Sequence, residues 1–399
     1  MGARDYGVAT GELPAGRTNS IIDVAGVSVG HVTIAEGELQ TGVTAILPHV
    51  GNLFRDKAPA ACRVINGFGK SAGLVQVAEL GAVESPVLLS NTFSVPACLE
   101  GGLDLLLAEN PDIATSTGSA NVVAMECNDG YLSAMRRRAV TRAHVAEAVS
   151  RARSSAGAAF ERGAVGAGRG MSCYGLKGGI GTASRVAEAR PGSGTAYTVG
   201  ALLLTNFGRL AELVVDGRRV GREIAAMGLD PRAGSDLGPA ASGSVSGSVP
   251  GSVSGAIDPA GEAARAALAA SSDGSGVGAP GAGSVIVVLA TDAPLDSRQL
   301  RRLCVRAASG LARTGATVGG GSGEIVLAFS TAYTLPHYPE GAPESRPVLH
   351  EESLDPLFQA ATESVEEAVL DSLFCAEAVR GRDGHERRAI LDFGLFRRG

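Results

Sequence analysis

The chain has no tryptophan, and aromatic residues make up only 4% of its 399 residues. Its interior must therefore be built from Ala, Val, Leu and Ile, with backbones brought close at some of its 56 glycines. No apolar run approaches the roughly 20 residues that a bilayer span needs. The first twenty residues, MGARDYGVATGELPAGRTNS, lack the apolar stretch of an export signal. Met1-Gly2 opens like a myristoylation site, but Tyr6 stands where Ser or Thr is expected. A cytoplasmic protein with no membrane partner is the expectation. Basic runs are missing too, apart from the triplet Arg136-Arg137-Arg138, and the net charge is −6, which argues against nucleic acid as a partner. The six cysteines, at 62, 98, 127, 173, 304 and 375, form no CxxC pair. Neither a zinc cluster nor a disulfide framework is indicated, free thiols are the default, and no metal or cofactor is expected.

The length suits two domains or one large α/β unit. Most glycines punctuate apolar runs, but residues 232–283 carry the short-period repeat GSVSGSVPGSVSG and little hydrophobicity. This stretch reads as a flexible linker, with one short helix at 259–270, dividing a long N-terminal part from a short C-terminal one. Strands are expected at 26–33, 44–47, 86–90, 197–205, 212–215, 284–290 and 324–330. Helices are expected at 70–80, at 141–152 with Thr141 as N-cap, at 296–313 and at 364–379. The last has Val365, Ala368, Val369, Leu373 and Ala376 at helical spacing, so one face should pack on a sheet. Strands and helices do not alternate strictly, which favours helices layered over largely antiparallel sheets.

Two nucleotide-binding patterns fail. Gly69-Lys70-Ser71 resembles the end of a phosphate-binding loop, but the required first glycine falls at Val64. The run GAVGAGRGM (163–171) lacks the dinucleotide spacing and an evident preceding strand. Both read as turns or close packing points.

The run GAPGAGSVIVVLATDAPL (278–295) is more informative. A Gly/Ser/Pro-rich lead ends at Gly283, and a strand apolar on both faces begins after Ser284. An exposed, adaptable peptide bond is thus joined to a rigidly held serine, a setting suited to a nucleophile that cuts its own chain. An ordinary loop-to-strand junction has the same pattern. Residues 319–324, GGGSGE, repeat the design. Ser322 and Glu324, two apart on an extended backbone, point to one side and can pair beside a nucleophile; a turn-capping serine and a solvated glutamate would look alike. Asn206 ends the strand pattern YTVGALLLTN and offers a neutral donor for an oxyanion, or simply a turn. Glu126 in MECNDGY reads as a loop carboxylate, either solvated or paired with a substrate ammonium.

Several stretches resemble the DmpA/BapA-type family of self-processing aminopeptidases, which comprises L-aminopeptidase/D-esterases and β-aminopeptidases. They are TNSIIDVAGVSVGHVT (18–33), TGVTAILP (41–48), GNLFRDKAPAA (51–61), NGFGKSAGLVQVAELG (66–81) and ECNDGYL (126–132), followed by GAVGAGRGMSCYGLKGGIGTASR (163–185), YTVGALLLTNFG (197–208), GSVIVVLATDAPL (283–295) and SGEIVLAFST (322–331). They occur in family order and cover most of the chain outside 232–280 and the last twenty or so residues. The resemblance implies cleavage at Gly283–Ser284, giving fragments 1–283 and 284–399 within one composite domain. It makes Ser284 the nucleophile, Ser322 and Glu324 its assisting pair, Asn206 the oxyanion donor and Glu126 the holder of the substrate's free amino group. It implies an α/β (α+β type), four-layer αββα sandwich resembling the N-terminal-nucleophile hydrolases, and a homo-oligomer. Substrates would be short peptides, amides or esters with a free amine. The linker is longer and more repetitive than the family pattern, and Asn128 stands where some relatives carry an aromatic residue.

The chemistry agrees. None of the six histidines forms an obvious Ser-His-Asp set, and only His31 falls in a matching stretch. A liberated Ser284 α-amine, with a reference pKa of about 7.7–8.0, leaves roughly a tenth neutral at pH 7 and so supplies a base. Because the first cleavage precedes that amine, Glu324 acting with Ser322 is expected to polarise the Ser284 hydroxyl. Two alternatives are an acyltransferase like the glutamate N-acetyltransferases, which characteristically cleave before threonine, and a catalytically silent scaffold of the same fold.

Overall fold

The computed structural model describes residues 2–155, 157–190, 192–228, 282–339, 341 and 345–398. The linker expected at 232–283 falls almost wholly outside these residues, as does the helix expected at 259–270. The principal strands are β1 (Ser28–Glu36), β2 (Leu39–Leu47), β3 (Asp56–Gly67), β4 (Val87–Asn91), β5 (Val123–Cys127), β6 (Ile180–Glu188), β7 (Ala196–Asn206), β8 (Ala282–Thr291) and β9 (Gly321–Ser330). The main helices are α1 (Leu74–Leu80), α2 (Val95–Glu109), α3 (Arg142–Ser155), α4 (Ser297–Arg313) and α5 (Asp355–Phe374).

One sheet has the order β1-β2-β4-β5, the other β3-β9-β8-β7-β6 with two short strands added beside β3. Pairing is antiparallel except for β4 with β5 and β8 with β9. Strand alternation gives each sheet two apolar faces. Ile46, Leu89 and Met125 of the first sheet meet Leu204, Ile286, Val288 and Phe329 of the second in a core between them. Val285, Val287 and Leu289 point the other way, into a core under α4 and α5, while α2 and α3 cover the far face of the first sheet. The layers run α-β-β-α, as the sequence leads one to expect.

The differences have local causes. Strands β3, β5 and β6 carry too many polar or small residues to stand out, yet each is paired along its length. Helix α2 contains Gly101 and Gly102, poor helix formers. A β-carbon there would lie 2.8 Å from Val145 and 2.6 Å from Val122, so both glycines allow close packing. Residues 212–215 form no strand: Leu210–Glu212 is a 3-10 turn and Val215 makes a single bridge to Arg218. The expected helix at 364–379 begins earlier, at Asp355, ends at Phe374, and is buried on nearly every side rather than along one face. Its polar positions are neutralised internally, with fully buried Arg185 bonding Glu363 at 3.2 Å and Glu367 at 2.5 Å. Helix α4 starts as expected, with Asp296 accepting the Gln299 N–H at 2.7 Å.

Candidate active site

Because β8 and β9 are parallel, their glycine-rich starts lie at the same edge of the sheet, and the end of antiparallel β7 joins them. Ser284 pairs with Gly323 on one side and Asn206 on the other. Alternation sends Ser284 and Asn206 to the face that meets the first sheet, together with Ile286 and Leu204. Ser284 is buried, and its hydroxyl donates to the carbonyl of Gly283, the residue before it, at 2.6 Å. A β-carbon at Gly323 would lie 3.2 Å from Ser284 Oγ and 2.7 Å from the Phe68 carbonyl oxygen. Only glycine leaves that space open.

The Asn206 amide is fixed at both ends. Its Oδ1 accepts the Ser172 N–H at 2.9 Å, and its Nδ2 donates to the Asn128 carbonyl at 2.9 Å. Among the described residues Nδ2 has no second acceptor. Asn128 takes part through its backbone, so the identity of its side chain does not alter this contact.

Ser322 donates to Glu324 Oε1, the pairing that their spacing leads one to expect. Glu324 is buried rather than solvated, and among the described residues its Oε2 has no partner. Burial raises its pKa above the ordinary value, partly opposed by the Ser322 bond. One expectation needs correction. Neither side chain hydrogen-bonds to Ser284 Oγ among the described residues. Register places Ser284 beside Gly323, so alternation turns Ser322 and Glu324 to the opposite face. The pair instead flanks the 283–284 peptide, since Gly283 is the ladder partner of Ser322. Asn66 ties down the approach by donating to the carbonyls of Gly319, at 3.0 Å, and Ser322.

Glu126 is in strand β5 rather than a loop, and it is buried. Its Oε1 accepts the Lys70 N–H at 2.7 Å and its Oε2 the Thr92 hydroxyl, while its own N–H donates to Ser71 Oγ at 3.3 Å. The segment that mimics a phosphate loop therefore anchors a carboxylate. A β-carbon at Gly69 would lie 3.6 Å from Glu126 Oε1, and the neighbouring Phe68 carbonyl faces Gly323 beside Ser284. Residues 68–69 thus span from Ser284 to Glu126. The anchors Lys70, Ser71, Thr92, Ser172 and Asn128 escaped the sequence reading because most act through backbone atoms. Among the described residues no histidine bonds to any of these five side chains, and no cluster of three or more His, Cys, Asp or Glu is set to hold a metal.

The model of peptidase family S58 matches residues 19–387. The chain belongs to peptidase family S58. It is 35% identical to the β-peptidyl aminopeptidase BapA of Sphingosinicella microcystinivorans, over 98% of this chain and 91% of that protein. Among solved structures, the PH0078 protein of Pyrococcus horikoshii is 41% identical, with a TM-score of 0.81, over 99% and 97% of the two chains. The L-aminopeptidase D-Ala-esterase/amidase of Ochrobactrum anthropi is 30% identical, with a TM-score of 0.77, over 99% of each chain. That structure is described as a prototype of the serine aminopeptidases and a variant of the Ntn-hydrolase fold. The S58 chain is accordingly a hydrolase, a serine aminopeptidase with the Ntn-like fold.

Proposed function

We propose that this chain matures by cutting itself between Gly283 and Ser284, then removes N-terminal residues from short peptides, amides and esters with Ser284 as nucleophile. The observation that carries the reading is the Ser284 hydroxyl lying on its own Gly283 carbonyl at 2.6 Å, with the Asn206 amide on the paired strand. In maturation, Oγ attacks the Gly283 carbonyl carbon and the C–N bond breaks. The nitrogen leaves as the Ser284 amine, taking up the proton that Oγ gives up. Water then hydrolyses the ester, freeing the hydroxyl and a Gly283 carboxylate.

In turnover the new α-amine accepts the Oγ proton as Oγ attacks the substrate carbonyl. The spare Asn206 N–H stabilises the oxyanion. The departing amine or alcohol takes the proton, and water completes deacylation. Ser322 and Glu324, flanking the cut, hold the new amino terminus, and Glu126 receives the substrate's ammonium. The names of the relatives, a β-peptidyl aminopeptidase and an esterase/amidase, support this range of leaving groups. A homo-oligomer is part of the reading, and light scattering on the purified protein measures it. On a denaturing gel the purified protein should separate into fragments 1–283 and 284–399, the second beginning at serine. A fully active intact chain rejects the mechanism.

A further inference from the structure

Behind Asn206 lies a lysine with no exposed surface. Lys177 belongs to a tight hairpin in which Ser172–Cys173 pairs with Leu176–Lys177. The two turn residues, Tyr174 and Gly175, have φ of 52° and 74°, as a two-residue hairpin of this hand requires. The turn brings Lys177 Nζ onto three backbone carbonyls: Gly168 at 2.9 Å, Met171 at 2.8 Å and Gly178 at 2.7 Å. Burial pushes its pKa well below the ordinary lysine value. The three partners act the other way. Each is an acceptor only, and a neutral amine, with two N–H groups and a lone pair, would set that lone pair against a carbonyl oxygen. Three bonds call for the ammonium.

Among the described residues no carboxylate bonds Lys177; a fully buried cation so placed is costly, and an apolar side chain would fill the space more cheaply. The Met171 carbonyl and the Ser172 N–H are the two ends of one peptide group. Lys177 holds the oxygen end, and the N–H end donates to Asn206 Oδ1. A cation on the carbonyl strengthens the N–H as a donor, and that bond in turn makes the Asn206 Nδ2 hydrogens better donors.

We propose that Lys177 is a positioning residue of the oxyanion site, orienting and polarising Asn206 through the Met171–Ser172 peptide. This rests on Asn206 being the oxyanion donor, so the experiment separates the two claims. Asn206→Ala alone tests the donor and should lower kcat by about 10²–10³. Unchanged kcat would reject the donor reading whatever Lys177 does. With Asn206 intact, Lys177→Met should lower kcat about tenfold or more at unchanged KM, a smaller loss than removing the donor itself. In the Asn206→Ala background the same substitution should cost nothing further. Rates are taken per mole of cleaved protein, and maturation half-times are compared in the same cycle.

An equal fractional loss in both backgrounds, or a Lys177→Met protein with wild-type kcat, would overturn the proposal. Should a variant not fold or not mature, the wild-type protein decides. Met171–Ser172 is the sole Met-Ser step in the sequence, so carbonyl-labelled methionine with nitrogen-labelled serine gives one resonance. That resonance should move when an aminoacyl aldehyde forms its tetrahedral adduct on Ser284. A resonance that stays put refutes the link.

Discussion

Glu126→Gln tests the proposed hold of Glu126 on the substrate's free amine. The substitution can be accommodated without orphaning a donor. A glutamine oxygen can still accept the Lys70 N–H, and its NH2 can donate to the Thr92 hydroxyl, which is able to act as acceptor instead of donor. Glu126→Ala, in contrast, would strand both groups. The glutamine therefore removes charge and little else. A hydrogen bond to a charged partner contributes about 1.5–3 kcal/mol, so kcat/KM for an aminoacyl anilide should fall roughly 10- to 150-fold. An ester of the same acyl group without its amine should be hydrolysed at an almost unchanged rate. Both substrates can be followed in a spectrophotometer with one preparation, which removes any error in active-site concentration. Equal losses on the two substrates would show that Glu126 supports the fold and not the ammonium.

Ser284→Ala should remain a single chain of full length on a denaturing gel and show no turnover; fragments from that variant would place the cut under another group's control. Gly323→Ala puts a methyl 2.7 Å from the Phe68 carbonyl oxygen and 3.2 Å from Ser284 Oγ. Overpacking of this kind costs about 1–3 kcal/mol, so a lowered Tm and a slower maturation are expected, and a wild-type time course would contradict the geometry. Asp129 is fully buried, and among the described residues its Oδ1 has no partner; burial raises its pKa from 3.8 to about 7, against bonds from Thr41 and Asn91. The folded state keeps this proton after the unfolded chain has lost it, so stability falls as pH rises from about 4 to 7. The difference corresponds to roughly 4 kcal/mol, and Asp129→Asn should raise Tm at about pH 8 with no gain near pH 4. A gain independent of pH would exclude a buried, protonated carboxyl.

Strand β8 was readable from sequence because an apolar run of that length, bounded by glycines, reads as a strand buried on both faces. The Ser322–Glu324 pairing followed from a period of two alone. Which face the pair occupies did not, because that depends on whether Ser284 lies beside residue 322 or 323, a matter of register between strands distant in the chain. Strands β3 and β6 were hidden for a related reason: their polar and small residues become tolerable only once partners on both sides are in place. Helix α2 was masked by Gly101 and Gly102, whose value lies in close packing on Val145 and Val122. Glu126 read as a loop carboxylate because its anchors are a backbone N–H from one loop and a hydroxyl from another.

The order β3-β9-β8-β7 places β9 and the part of β8 from Ser284 onward, which follow the proposed cut, between β3 and β7, which precede it. Maturation would therefore yield two polypeptides woven through a common sheet, neither able to leave without tearing ladders on both sides. The information for bringing those pieces together resides in the uncut precursor, where they are tethered at high effective concentration. Once cut, the protein's persistence is governed by how seldom it unfolds, since denatured halves must find each other as separate solutes. Heat-inactivated mature enzyme should regain activity with a dependence on protein concentration that the Ser284→Ala precursor does not share in its own refolding.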